Sequence, residues 1–313
     1  MTPSTPAAPA SHAPTSADVA AAADRIAGYA RHTPILRAHL NGRPLLLKLE
    51  HLQLTGAFKL RGALNALMAG PPTDHIITAS GGNHGLGVAT AARLLGRQAT
   101  VYLPETTPEA KTRRLARTGA ELISVGQHYA HAADTAQQRA RTDGLHYLHA
   151  YDDAQVIAGQ GTLGREIAAQ APDCDSIVVA VGGGGLAAGV RLGADPATTV
   201  VAAEPRGCPT LHAALAAGAP VETSVDSVAS SALGASRLGT LPYTVISHHP
   251  IHPTLVDDDQ IVAARQRLWE EFRLAVEPAA AVPLAAWLAG AVPGALPCLV
   301  ICGANADWTP HEG

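Results

Sequence analysis

Three short stretches carry residue types that could do chemistry. The first is Gly182-Gly183-Gly184-Gly185-Leu186, which follows an apolar run ending at Val181. Four consecutive glycines remove every side chain from the turn, so backbone N–H groups can approach an anion closely. A helix expected over Leu186–Leu192 adds the positive end of its dipole. That is the chemistry of a phosphate cradle. The run matches neither G-x-G-x-x-G nor G-K-[ST], and a tight turn with close helix packing is the plainer alternative. The second stretch is Ser80-Gly81-Gly82-Asn83-His84-Gly85. Ser80 can cap a helix, the glycines free N–H groups for a carboxylate, and the Asn83 amide can donate to a phenolate-like oxygen. Taken alone it also reads as an ordinary helix cap. The third is Thr55-Gly56-Ala57-Phe58-Lys59-Leu60-Arg61-Gly62. A lysine that opens an apolar helix is either solvated or functional. If it is desolvated, its pKa falls and the free amine can form an imine.

The elements that must position these residues alternate. Strands are expected at Leu45–Leu49, His75–Ala79, Ala99–Leu103, Glu121–Val125, Ile177–Val181, Thr199–Ala203 and Pro297–Cys302. Helices are expected at Lys59–Met68, Asn83–Leu95, from Pro108, at Ala130–Arg141, from Asp257 to Glu271, and at Ala279–Leu288. Apolar strands without in–out alternation, separated by helices, imply buried parallel sheet in an open α/β fold. Each of the three chemical stretches then lies at the start of a helix, the first two directly after a strand.

Composition excludes several classes. Hydrophobic residues make up 47% and charged residues 15%, which suits a compact core and not a disordered chain. The net charge is −4 with no basic run, so nucleic acid is not an expected partner. No apolar run is long enough to span a membrane. Cys174, Cys208, Cys298 and Cys302 form no C-x-x-C pair and read as reduced thiols of a cytoplasmic protein. Residues 1–16, rich in Pro, Ala, Ser and Thr, lack the features of a signal or transit peptide and read as a disordered tail. His248-His249-x-x-His252 reads as a proline-interrupted loop and not as a metal cluster. His128, His131, His146 and His149 read as surface residues.

Together the motifs resemble the fold-type II pyridoxal-phosphate (PLP) enzymes, and most closely their serine/threonine dehydratase branch. The resemblance rests on Ala57–Ala63, Ser80–His84 and Gly182–Leu186. Thr33-Pro34, Glu204-Pro205, Glu277-Pro278 and Cys302-Gly303-Ala304-Asn305 agree with it. It implies two open α/β domains with PLP in the cleft between them. The large domain would comprise 17–70 and 153–313, and the small inserted one 71–152. By this likeness Lys59 would hold PLP as a Schiff base and move the substrate's α-proton, and Phe58 would pack beside the ring. Gly182, Gly183, Gly184, Gly185 and Leu186 would hold the phosphate, and Asn83 the ring hydroxyl. Ser80, Gly81, Gly82, Asn83 and His84 would bind the substrate carboxylate, with Ser80 among the catalytic groups. Cys302 would face the pyridine nitrogen as a weak donor that leaves it unprotonated, which limits carbanion delocalisation and favours prompt loss of a β-leaving group. The segment Asp226–Gly239 would line the cleft.

The implied activity is elimination of water from L-threonine, L-serine or both, giving 2-oxobutyrate or pyruvate and ammonia. A homodimer is the expected assembly. Another activity on the same scaffold (3-hydroxyaspartate ammonia-lyase or serine racemase) and a non-catalytic PLP-binding relative are the alternatives. Lys59 is followed by Leu60-Arg61-Gly62 and not by the acidic residue usual in the β-replacement branch. Gly81 stands where racemases often carry a serine that acts on the face opposite the lysine. Racemisation needs a proton donor on each face, so weak or no racemase activity is expected. Glu204 matches one ligand of the racemases' cation site, but the position six residues later is Thr210, so no metal site is expected.

Overall fold

The computed structural model describes residues 12–306. The tail expected over 1–16 lies outside the described residues up to position 11. Thr15 caps, and Ser16 begins, the first helix, α1 (Ser16–Ile26). Thr15 Oγ1 accepts from the Asp18 N–H (3.3 Å) and the Asp18 carboxylate accepts from the Thr15 N–H (2.8 Å), a reciprocal cap that starts the helix cleanly.

Two sheets follow. Strands β1 (Ile35–Leu40) and β2 (Arg43–Lys48) form a hairpin, and α2 (Lys59–Ala69) leads out of the larger sheet. A second sheet is then built from β3 (His75–Ala79), β4 (Gln98–Leu103), β5 (Glu121–Ser124) and β6 (His146–Tyr147). These alternate with α3 (Asn83–Leu94), α4 (Glu109–Ala116) and α5 (Tyr129–Asp143). Its order is β5-β4-β3-β6, all parallel. After α6 (Ala154–Gln170) the chain returns to the larger sheet through β7 (Ser176–Ala180), α7 (Gly185–Gly193), β8 (Thr199–Pro205), α8 (Thr210–Ala217), α9 (Ser230–Leu233), α10 (Thr240–His248) and β9 (His252–Val256). The chain closes with α11 (Asp258–Phe272), α12 (Pro278–Leu288) and β10 (Pro297–Val300). That sheet runs β1-β2-β10-β7-β8-β9 and is parallel apart from the hairpin.

The largest core packs around the six-stranded sheet and includes Leu45–Leu47, Ile177–Val181, Val200–Ala203 and Cys298–Cys302. These strands are buried on both faces, which is why they read as continuous apolar runs. The carboxyl ends of β3, β4, β7 and β10 all lead into one region. In open parallel sheets that is where ligands bind. No helix among the described residues is long and apolar enough to cross a membrane.

The start of α2 is anchored by a buried ionic network. Arg61 is 1% exposed, and Glu50 and Lys48 are 0% exposed. Arg61 donates to both oxygens of Glu50 (2.8 and 2.6 Å) and to Glu166 Oε1 (2.6 Å). Lys48 Nζ donates to Glu166 Oε2 (2.7 Å), Gln170 Oε1 (2.8 Å) and the Thr33 carbonyl (2.7 Å), while the Thr33 hydroxyl donates to Glu50. Burial pushes the Arg61 pKa down, but the two carboxylates outweigh it and the guanidinium stays charged. Burial likewise pushes Glu166 up, and Arg61 and Lys48 overcome it to hold the carboxyl below its usual range. The neutral, similarly sized variant Arg61→Met leaves Glu50 as an uncompensated buried charge. A loss of about 3–5 kcal/mol is expected in a denaturant unfolding curve. A loss below about 1 kcal/mol would mean that the network does not hold this corner together.

Candidate active site

The residues singled out in sequence line a single cavity of about 640 Å³. Phe58, Lys59, Ser80–His84, Gly182–Leu186 and Cys302 all face it. They arrive from the start of α2, the β3–α3 turn, the β7–α7 turn and the end of β10. The segment expected to line the cleft contributes Ser230–Ser236, including α9.

Lys59 is the first residue of α2. Its amine donates to the Ala150 carbonyl at 2.8 Å and lies 5.2 Å from the centre of the Phe58 ring. The side chain opens on the cavity and is otherwise surrounded by protein, and burial lowers its pKa to about 8. Desolvation disfavours the ammonium, so a usable fraction of free amine exists near neutral pH.

The glycine turn presents donors. Among the described residues, nothing accepts from the N–H groups of Gly183, Gly184, Gly185 or Leu186. These are the orphan donors of a helix N-terminus, lengthened by the turn before it. Gly184 has φ +89°, a conformation that favours glycine, and a side chain at Gly183 would run into the Tyr151 ring. The run of glycines is therefore a steric requirement as well as a source of donors.

Asn83 begins α3 and is clamped from two sides. Its Nδ2 donates to Glu277 Oε1 and its Oδ1 accepts from Asn305 Nδ2, both at 2.8 Å. Asn305 also donates to the Thr55 carbonyl (2.7 Å) and accepts from Arg114 (3.3 Å). Glu277 is buried, and burial pushes its carboxyl above the usual range despite the Asn83 amide. His84 is buried, with Nε2 donating to the Leu148 carbonyl at 3.2 Å. Burial and the nearby Lys59 depress its pKa to about 3, so the ring is neutral. Cys302 is buried, and its thiol is pushed well above the ordinary range, first by burial and then by Glu277. The Cys302 carbonyl accepts from the Phe58 N–H (3.1 Å), which ties the end of β10 to the residue before Lys59. Ser80 Oγ accepts from the Gly82 N–H at 3.1 Å within its own loop.

Several residues around the site carry no signal as single positions. The Ala150 carbonyl, Thr107 and Lys111 reach it through tertiary packing, as does the pairing of Asn83 with Glu277 and Asn305, two residues that the sequence motifs contain without showing what they hold. His149, expected at the surface, is half-buried. Its Nδ1 accepts from the N–H groups of Tyr151 (3.3 Å) and Asp152 (2.9 Å), and burial lowers its pKa. Glu204 lies away from the cavity, buried, accepting from the N–H groups of Leu211 (2.7 Å) and His212 (2.9 Å) and so capping α8. Its carboxyl is pushed up to about 7 by burial. His248 ends α10 and His252 opens β9, so only the residues between them form a loop. Among the described residues no group of three or more His, Cys, Asp or Glu side chains is arranged to hold a metal.

The family model described as "Pyridoxal-phosphate dependent enzyme" matches residues 26–303. The chain belongs to this family. An L-threonine ammonia-lyase of Geobacter sulfurreducens is 36% identical over 275 residues, covering 85% of this chain and 68% of that protein. Human serine racemase is 33% identical, covering 88% and 87%. A threonine deaminase from T.th. superposes with a TM-score of 0.90 at 34% identity, covering 95% of this chain and all of that one. Maize serine racemase superposes at 0.88, with 30% identity and 95% coverage of both chains. The fold is therefore that of the fold-type II PLP enzymes, and PLP is the cofactor.

The residues present fit that cofactor. A phosphate needs clustered donors, and the β7–α7 turn has four without a protein acceptor among the described residues. An aldehyde needs a free amine, and Lys59 has its pKa lowered beside that turn. In cofactor-free protein, labelling of Lys59 by an amine-selective reagent, read by peptide mass mapping, should reach half its plateau rate near pH 8. An ordinary lysine is still almost wholly protonated there. A midpoint above pH 10 would contradict the burial argument.

Proposed function

We propose that this enzyme eliminates water from a β-hydroxy amino acid, converting L-threonine to 2-oxobutyrate and ammonia, L-serine to pyruvate and ammonia, or both. The observation that carries this reading is the convergence of Lys59, the four-glycine turn, Asn83 and Cys302 on one cavity. The similarity to an L-threonine ammonia-lyase and a threonine deaminase supports it.

In this reading the N–H groups of Gly183–Leu186, with Gly182 opening the turn, hold the cofactor phosphate at the N-terminus of α7. Asn83, its amide fixed by Glu277 and Asn305, turns its remaining Nδ2 proton to the ring hydroxyl. Phe58 packs beside the ring. Cys302 places a thiol, not a carboxylate, at the ring nitrogen. When bound, PLP supplies the electron sink that makes the substrate's α-proton removable. Lys59 Nζ would hold the cofactor through its aldehyde and would serve as the base that takes the proton from the substrate Cα. Backbone donors of Ser80–His84 and the Ser80 hydroxyl orient the substrate carboxylate. His84, neutral throughout, shapes this loop without adding charge. Loss of the β-hydroxyl as water takes up one proton, balancing the one removed from Cα, and the freed enamine, after tautomerising to the imine, is hydrolysed to the 2-oxo acid and ammonia.

We also propose the domain division 17–70 with 153–313 and 71–152. Strands β3–β6 all fall in the second span and every other strand in the first. A cytoplasmic location is supported by four buried cysteines without a disulfide among the described residues. A homodimer is the default symmetric assembly.

The test is 2-oxo acid release from L-threonine, L-serine, D-serine and 3-hydroxyaspartate. Release from L-threonine or L-serine is expected, and Lys59→Ala should abolish it while leaving the folded protein intact. No release from any of the four, in protein that keeps the visible absorbance of lysine-bound cofactor, would move the reaction to another chemistry. With Gly81 lacking a hydroxyl, D-serine should form from L-serine at least about tenfold more slowly than pyruvate does. Equal rates, read by chiral chromatography, would overturn that expectation.

A further inference from the structure

Gly81 and Thr107 compete for one place in the cavity wall. A Cβ built on Gly81 would lie 2.7 Å from Thr107 Cγ2 and 2.9 Å from Thr107 Oγ1. Two carbons attract best at about 3.5–4.0 Å, so a side chain at 81 and the Thr107 side chain as it stands exclude each other. Both residues line the cavity that contains Lys59.

Thr107 is delivered by the turn after β4, far in sequence from the Ser80–His84 loop. That turn is tied down. The Thr107 N–H donates to the Pro104 carbonyl (2.9 Å), the Glu105 N–H to the Gly126 carbonyl (2.8 Å), and the Thr106 hydroxyl to the Gln127 carbonyl (3.1 Å). The Thr107 hydroxyl itself has no hydrogen-bond partner among the described residues, although the residue is half-buried. A β-branched side chain has few rotamers in which to hide that group. A cavity-wall hydroxyl with no protein partner is free to hydrogen-bond a ligand that enters the cavity.

We infer that Thr107 is a substrate-contacting, specificity-determining residue whose hydroxyl stands in for the side chain absent at Gly81. The nature of its ligand, an amino acid, rests on the reading proposed above; the mutual exclusion of the two side chains does not. The substitution has a chemical consequence. A serine at 81 would hold its oxygen one bond beyond Cβ, whereas the Thr107 oxygen stands off that point by 2.9 Å on a different backbone. The hydroxyl binds and closes the wall, and proton handling at Cα is left to Lys59 alone. That arrangement favours elimination over inversion.

A double-mutant cycle tests the exclusion, using wild type, Gly81→Ser, Thr107→Ala and the double variant. In cofactor-free protein, Gly81→Ser should lower the Tm by several degrees in the wild-type background and by much less beside Thr107→Ala. Equal shifts in both backgrounds would overturn the shared position. Amino-acid binding to the holoenzyme, read as a change in the visible absorbance of the bound cofactor, tests the contact. Thr107→Val, near in shape but without the hydroxyl, should weaken binding of L-threonine and L-serine about tenfold or more, while Thr107→Ser restores it. Unchanged binding in Thr107→Val would remove the contact. If wild type releases no 2-oxo acid, the proposed reaction fails, yet the Tm cycle and the binding titration still decide the role of Thr107.

Discussion

The ion network of Arg61, Glu50, Glu166 and Lys48 carries the architecture around the site. It joins β2, the turn that follows it, the first turn of α2 and the far end of α6, with Lys48, Glu50 and Arg61 fully buried and Glu166 at its partly exposed edge. Such a network is costly to bury and is stable only when every member is paired. Here the guanidinium fork is matched by two carboxylates, and the lysine by a carboxylate, an amide and a carbonyl. Arg61 is two residues beyond Lys59. Fixing its guanidinium therefore fixes the rotation of α2 about its axis, and with it the direction in which the lysine enters the cavity. Thr33, which looks like a remote motif in sequence, is a ligand of this network through both its hydroxyl and its carbonyl.

A second constraint is electrostatic. Lys59, Asn83 and Gly185 are each the first residue of a helix, and all three helices start at the cavity. Three positive dipole ends aimed at one space favour anions there. A cofactor phosphate and a substrate carboxylate are such anions. Burial makes a protonated Lys59 unfavourable, so in the proposed reading the enclosed space that would take the anions also prepares the amine. Burial of His84 to the point of neutrality keeps a further cation out of the crowded region.

How much of this is legible in sequence depends on whether the relevant residues are neighbours in the chain. Lys59, Ser80–His84 and Gly182–Leu186 each sit at the join of an element with a helix, where a few adjacent residues carry both the local conformation and the chemistry. The buried parallel strands are equally plain. Helix α6 is not legible, because it is buried on nearly every side and so shows no clear period, and because Gly159, Gly161 and Gly164 look unhelical. Those glycines have a packing role. A side chain on Gly161 would run into the Gly189 carbonyl, and one on Gly193 into the Gly161 carbonyl. Helices α6 and α7 thus meet backbone to backbone, which sets the glycine turn at the head of α7. Their G-x-G-x-x-G spacing lies inside a helix and is not a phosphate loop. Strand β9 contains Pro253 and is hidden for a related reason: proline is tolerated there because β9 is an edge strand.

The clamp on Asn83 cannot be read from sequence, yet it explains why the two sheets must act together. Asn83 belongs to the turn leaving β3 in the four-stranded sheet. Its two partners, Glu277 before α12 and Asn305 after β10, belong with the six-stranded sheet. A primary amide has one acceptor oxygen and two donor protons. Asn305 takes the oxygen and Glu277 takes one proton, so the amide cannot flip without losing both bonds. One proton is left with a fixed direction. The placement of that single donor therefore depends on the registration of one sheet against the other, and any change that separates them disturbs it. Arg114 of α4 extends the chain of bonds through Asn305, so a third element of the four-stranded side is held to the same point. Glu277 sits in this chain with its carboxyl pushed up by burial. A charged form is tolerable there only while the Asn83 amide and the nearby cations of α4 remain in place, which makes the clamp cooperative: its members hold together or are lost together.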